Sequence, residues 1–252
     1  MAFGKTAQKQ SAQGNAQQES AYLKFGQGER VIRILDQEET EFYRYWLNVN
    51  VGGKQQGRSI VIGNKKDSPI YKYMQGLGED HPDFRFPARR LLLNVLDRTP
   101  VKKTSTGLTV YADERGNFPN TDPVSEESVA KQPIVPNNKV YIMEFGPQLL
   151  DQMLVLHERI RDRETFEPLP IWRFDIKIVS RGAGKDTKRG VMPDVDQDPL
   201  PDELFSLPKY DLKLVCRPLP VQYQQRILDG EDYIELMREL EWDRPQATIP
   251  QF

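Results

Sequence analysis

The chain has 252 residues, 38% hydrophobic and 29% charged, enough for one domain with insertions and a sizeable core. No stretch approaches the roughly 18 to 20 apolar residues that span a bilayer, and the opening MAFGKTAQKQSAQGNAQQES has no apolar h-region, so the expected location is the cytoplasm. A single cysteine, Cys216, excludes an internal disulfide and, with only His81 and His157 beside it, argues against a structural zinc site. The net charge of -2 is unevenly spread. Residues 1–115 hold 18 Lys+Arg against 13 Asp+Glu (net +5), residues 116–191 hold 11 of each, and residues 192–252 hold 6 against 13 (net -7). A basic front suits a polyanion partner, and an acidic back could compete for the same surface.

In chain order, residues 1–22 are rich in Gln, Ala, Ser and Gly and read as a disordered tail. Alternating apolar and polar residues then predict strands at ERVIRIL (29–35) and FYRYWLNVNV (42–51), a turn at GGKQQG (52–57) and a strand at RSIVI (58–62). SPIYKYMQGLG (68–78) reads as a short helix, with Ser68 as N-cap, Pro69 in the first turn and glycines at the end. RFPARRLLLNVLD (85–97) reads as a long strand. Residues 104–138 read as a long insertion with one hairpin near 108–112.

KVYIMEF (139–145) returns to strand, and GPQLLDQMLVLHERI (146–160) is a helix with an apolar face of Leu149, Leu150, Met153, Leu154, Leu156 and Ile160. WRFDIKIVS (172–180) and TKRGVMP (187–193) are strands, which makes the glycine-rich, basic SRGAGKDTKRG (180–190) a hairpin loop. YDLKLVCRPL (210–219) alternates and reads as a further strand, with Cys216 a small buried hydrophobe on it. Residues 221–242 read as two helices broken at Gly230. The fold expected is mainly β with helices (α+β): a Greek-key barrel resembling the OB-fold over 23–192, followed by an acidic C-terminal segment over 193–252.

Three motifs suggest other chemistry. A phosphate-binding P-loop needs Gly four residues before Gly-Lys-Ser/Thr, but here Val179 takes the first position, Asp186 follows Lys185, and a strand follows in place of a helix. Asp194, Asp196 and Asp198 are spaced like a calcium loop, yet Pro199 replaces the turn glycine and Phe205 the bidentate Glu. Asp175 with Lys177, or Asp202 with Asp211 and Lys213, resembles the spaced carboxylates and lysine of a metal-dependent nuclease. That hydrolytic reading is the alternative function; the expectation is no enzyme, no cofactor and no metal.

Strand alternation separates a core face of Tyr43, Tyr45, Leu47, Val49 and Val51 from one bearing Phe42, Arg44, Trp46, Asn48 and Asn50. It also turns Trp172, Phe174, Ile176 and Ile178 inward and leaves Arg173, Asp175, Lys177 and Arg181 outside. Around these lie Arg58, Lys65, Lys66, Tyr71, Tyr73, Arg85, Phe86, Arg89, Arg90, Lys102 and Lys103. Cations beside aromatics are the recipe for holding single-stranded nucleic acid, where stacking contributes roughly 1 to 3 kcal/mol per base. Arg44, Trp46, Arg58, Arg89, Arg90, Arg173 and Lys177 would floor a groove, with Tyr71, Tyr73 and Phe86 as stacking partners. Arg181, Lys185, Lys188 and Arg189 would reach phosphates from the loop.

RFPARRLLLNVLDRTPVKK (85–103) and DIKIVSRGAGKDTKRGVMP (175–193) resemble bacteriophage-encoded single-stranded DNA-binding proteins of the OB-fold type. So do GERVIRILD (28–36), EFGPQLLDQML (144–154) and YDLKLVCRPLP (210–220). The resemblance implies binding of single-stranded DNA without sequence preference in replication, recombination or repair, in the host cell cytoplasm if phage-encoded. It also implies contacts with replication or recombination proteins through the C-terminal segment, and no membrane partner. Relatives with paired cysteines for zinc carry them near positions matching 63–70 and the insertion. This chain has none there, so metal dependence does not carry over.

Overall fold

Alternation becomes an antiparallel ladder. The computed structural model describes residues 20–26, 28–113, 116–123, 125–162, 165–182, 187–194 and 201–240. In chain order the elements are β1 (Gly28–Ile34), β2 (Thr40–Val51), β3 (Lys54–Ile62), α1 (Pro69–Leu77), β4 (Ala88–Asp97), β5 (Pro100–Lys103), β6 (Thr109–Tyr111) and β7 (Val135–Pro136). There follow β8 (Lys139–Phe145), α2 (Pro147–Arg159), a 3-10 turn (Ile171–Arg173), β9 (Ile176–Arg181), β10 (Lys188–Pro193), α3 (Asp202–Phe205), α4 (Leu212–Val215), α5 (Val221–Leu228) and α6 (Tyr233–Glu239). The protein is thus a mixed α+β fold dominated by antiparallel sheet.

Seven strands form the main sheet in the order β10-β9-β1-β4-β2-β3, with β8 also paired to β4. β4 is the hub. Its N-terminal half pairs with β2, its C-terminal half with β1, and its opposite edge with β8. Among the described residues no pairing joins the ends, so the sheet is not closed into a barrel. The outer edge of β8 is instead occupied by the incoming chain: Ile142 N–H donates to Ala21 O at 2.8 Å and Leu23 N–H to Ile142 O at 2.9 Å. Leu23 is buried in the core there, and Phe25 lies under the Arg189 guanidinium of β10 at 4.8 Å.

The cross-strand register sorts side chains to two faces. On one, Ile32, Leu91, Leu93, Met143, Phe145, Ile176 and Ile178 pack under α2 through Leu149 and Met153. Tyr45, Leu47, Val49, Ile60 and Ile62 are covered by Ile70 and Met74 of α1, Tyr223 and Ile227 of α5, and Leu236 of α6. On the other face, Leu212 and Cys216 seal Phe42, Leu92 and Ile142, and Leu204, Phe205 and Leu207 pack beside Leu35 and Leu96. Leu219 N–H donates to Val61 O at 3.0 Å, capping the edge of β3 where the chain passes from one face to the other.

Local chemistry explains the boundaries. Ser68 accepts the Tyr71 N–H at 3.1 Å and also meets Gln224 at 2.6 Å, joining the start of α1 to α5. The expected six-residue turn at 52–57 is a two-residue one: Gly52 and Gly53 have φ of 59° and 78°, as tight hairpins require, so β3 begins at Lys54. The 104–138 insertion holds more strand than one hairpin, since β6 and β7 flank β5. Asp97 anchors it, accepting the Tyr111 hydroxyl at 2.9 Å, Asn137 Nδ2 at 2.9 Å and the Thr99 N–H at 3.0 Å. Burial, then the neighbouring Asp97 charge, pushes the Tyr111 pKa well up.

Three other expectations are corrected. Tyr210–Leu219 is not a strand: Asp211 accepts the N–H groups of Lys213 and Leu214 and starts α4, with Leu212 and Cys216 buried four residues apart on one side of the turn. Cys216, buried as expected, therefore follows a helical turn, and its thiol donates to Leu212 O at 3.0 Å. β9 begins only at Ile176 because Ile171–Arg173 is a 3-10 turn, and Leu154 faces away from the core with 49% exposure.

Tyr45 is fully buried and its hydroxyl finds no hydrogen-bond partner among the described residues; burial, with Tyr71 nearby, pushes its pKa up to about 12. An unsatisfied buried hydroxyl costs free energy without return. Tyr45→Phe is expected to raise stability by about 1 kcal/mol in urea denaturation, and an equal loss would contradict this view of the site.

Candidate nucleic-acid interface

The Gly52-Gly53 turn sets the register of the β2–β3 hairpin, pairing Arg44 with Val61, Trp46 with Ser59 and Asn48 with Gly57. Pairing of Phe42 with Arg90 and of Leu92 with Glu144 carries the same face across β4 to β8. Trp46 is 65% exposed. Its indole lies directly over Gly57: a Cβ there would meet Nε1 at 2.6 Å and two further ring carbons at 2.8 Å. The glycine thus supplies a bed that holds one side of the ring and leaves the other to solvent. A glycine inside a strand often marks such a close approach, a signal lost when 52–57 is read as a turn.

Arg44 extends from the same face of β2 and meets Glu144 at 2.9 Å, while Arg90 Nε lies 3.7 Å from the same carboxylate. Burial pushes the Arg44 pKa down and Glu144 opposes the shift. Two guanidiniums around one carboxylate leave net positive charge beside the exposed indole. Asn48 is exposed on this face. Phe42 and Asn50 are not available with them: Phe42 is sealed under Leu212 and Cys216, and Asn50 Nδ2 donates to Gly230 O at 3.1 Å.

A second basic patch lies on the same sheet face at its far end. Arg181 pairs directly with Lys188 across the β9–β10 hairpin, and both are exposed. Like charges opposite one another destabilise a ladder, and together they concentrate positive charge at this end of the face. Lys177 shares this face and pairs with Glu29 at 3.1 Å. Lys185 lies outside the described residues. Arg181→Ala with Lys188→Ala is expected to leave the thermal midpoint unchanged or slightly higher and to lower the salt slope of single-strand binding by about 0.7 for each phosphate no longer neutralised. An unchanged slope would remove this patch from the interface.

Other expected groove residues lie elsewhere. Arg58 pairs with Leu47 and sits on the opposite face, donating to Gln56 Oε1 at 2.7 Å. Arg89 is also on that face, 2.7 Å from Glu41, near Tyr43 whose ring carries Lys65 Nζ at 3.8 Å. The Arg89 hydrogen bond holds the Glu41 carboxyl below its usual pKa. Tyr71 packs into the helix-covered core, and Lys102 donates to Val129 O at 3.1 Å and Ala130 O at 3.0 Å. Arg85 donates to Pro82 O at 2.7 Å and Phe84 O at 2.6 Å. Arg189 shares the face of Val191, turned away from Lys188, and Arg173 projects from the 3-10 turn instead of a strand. Lys66, Tyr73, Phe86 and Lys103 are exposed, with Phe86 edge-on to Phe84 at 4.9 Å.

Asp175 is a further correction. It is buried, receiving Arg33 Nε at 2.6 Å and Arg98 Nε at 3.3 Å. Asp211 serves as a helix cap, and the Asp202 side chain lies outside the described residues. Among the described residues no three His, Cys, Asp or Glu side chains gather as a metal site, and no helix is long and apolar enough to cross a membrane. No protein-family model matches the chain, and no curated protein matches it.

Proposed function

We propose that the protein binds single-stranded DNA without sequence preference, stacking bases on Trp46 and holding phosphates with Arg44, Arg90, Arg181 and Lys188. The observation that carries the reading is the exposed indole bedded on Gly57 beside two guanidiniums. Large exposed aromatics next to arginine are what sequence-tolerant single-strand sites use, because every base has a π-face and every nucleotide a phosphate.

Strand order supports the reading. β1, β4 and β8 run as an antiparallel series, α2 follows, and β9 and β10 come next with β9 returned to β1. In the proposed reading these five strands and α2 are the parts of a partly open OB-fold, whose ligands contact the second and third strands and the connections flanking them. Here the first connection contains the β2–β3 hairpin with Trp46, and the last is the Arg181–Lys188 hairpin. Beyond Arg90 and Glu144 the face of β4 and β8 is sealed by Leu212, Cys216 and their neighbours, so the strand would engage the hairpins and this end of β4, not the sheet centre. Work in phage replication, recombination or repair, in the host cytoplasm, with partner proteins meeting the C-terminal segment, belongs to the same proposal.

Fluorescence anisotropy with labelled oligo-dT and a matched duplex, over several salt concentrations and with or without magnesium, tests it. Tight, salt-sensitive binding to the single strand, weak binding to the duplex and an intact probe are expected. Equal affinity for both, or a probe shortened only with magnesium, would overturn the proposal.

A further inference from the structure

We infer that Arg44 and Arg90 form a phosphodiester subsite, and that Glu144 is a resident competitor which the nucleic acid's phosphate displaces. The inference rests on the single-strand reading above and adds to it a residue that weakens binding. All three side chains lie on one face and are partly open to solvent, at 29% for Arg44, 35% for Arg90 and 23% for Glu144. Glu144 meets Arg44 at 2.9 Å, whereas Arg90 Nε, itself closed off from solvent, lies 3.7 Å away and has no hydrogen-bond partner among the described residues. One carboxylate between two guanidiniums leaves net positive charge. A phosphodiester presents acceptor oxygens that guanidinium forks bind bidentately.

Spacing joins the subsite to the stacking platform. Arg44 and Trp46 are two residues apart on β2 and share a face, which sets them about 6.6 Å apart along the strand. A base on the indole and a neighbouring phosphate on Arg44 fit one extended strand. Removing Glu144 from between the arginines then consumes part of the binding free energy, holding affinity below what the cations alone would give.

Glu144→Gln tests this in the full chain, using labelled oligo-dT titrated at several salt concentrations, with a thermal melt to check folding. Expected is tighter binding at low salt by about 2- to 5-fold, the strength of a partly exposed ion pair, with a salt slope steeper by up to about 0.7. Arg44→Ala should also cost more in the Glu144→Gln background than in the wild type. Glu144→Asp draws the carboxylate back by one methylene; its affinity should fall between the two, and it carries the test if the amide loosens the fold. Wild-type binding with both Glu144 variants unchanged or weaker would overturn the competitor role alone. No wild-type binding would overturn the single-strand reading with it.

Discussion

Asp175→Ala should lower stability by about 3 to 5 kcal/mol, the usual consequence of deleting one partner from a buried ion pair. The Arg33 side chain is 1% exposed and Asp175 8%, and Asp175 also faces Arg98, so its removal takes the carboxylate from one buried guanidinium and from a second nearby. Burial already pushes the Arg33 pKa down against the pull of Asp175. Typical domains have a total of about 5 to 15 kcal/mol, so the urea midpoint should fall by a large fraction. A loss below about 1 kcal/mol would show that the pair contributes little, as exposed pairs do. Loss of any activity in this variant would report the fold before the chemistry. Lys177→Ala, outside that buried cluster, is the cleaner probe of a hydrolytic role.

Trp46→Ala should weaken single-strand binding by about 1 to 3 kcal/mol while leaving the salt slope unchanged, because it removes a stacking surface and no charge. Stability should change little, since the indole is 65% exposed. The contrast with the Arg181 and Lys188 pair is diagnostic: one change moves affinity at fixed slope, the other moves the slope. Anisotropy titrations over a salt series separate them. Equal losses from both, with the same slope, would mean that the roles of platform and phosphate clamp are wrongly divided.

The strands were largely legible because each carries its own alternation, as in β2, where Tyr45, Leu47, Val49 and Val51 are all buried. α1 was legible because Ser68 and Pro69 are local signals. Failures arose where the deciding partner is remote in sequence. Asp175 looks like an outward carboxylate until Arg33, 142 residues earlier, is placed against it. Charge groups Arg58 with Arg44, whereas its cross-strand neighbour Leu47 puts it on the other face. Tyr210–Leu219 alternates well enough to imitate a strand, and only the Asp211 cap with the four-residue spacing of Leu212 and Cys216 distinguishes the helical turn. Glu144 could not be singled out, because its importance lies in a register that two other strands complete.

The passage of the chain from one sheet face to the other bears on how the protein is made. Leu212 and Cys216 close one side, and Leu219, Tyr223, Ile227 and Leu236 complete the cover that α1 begins on the other, so neither apolar surface is fully covered until residues 212–236 have emerged. The nascent sheet must therefore wait, with part of its apolar surface exposed, for those residues. Biosynthesis should accordingly show a single late folding event once residue 236 has left the ribosome, with chaperone dependence greatest just before it.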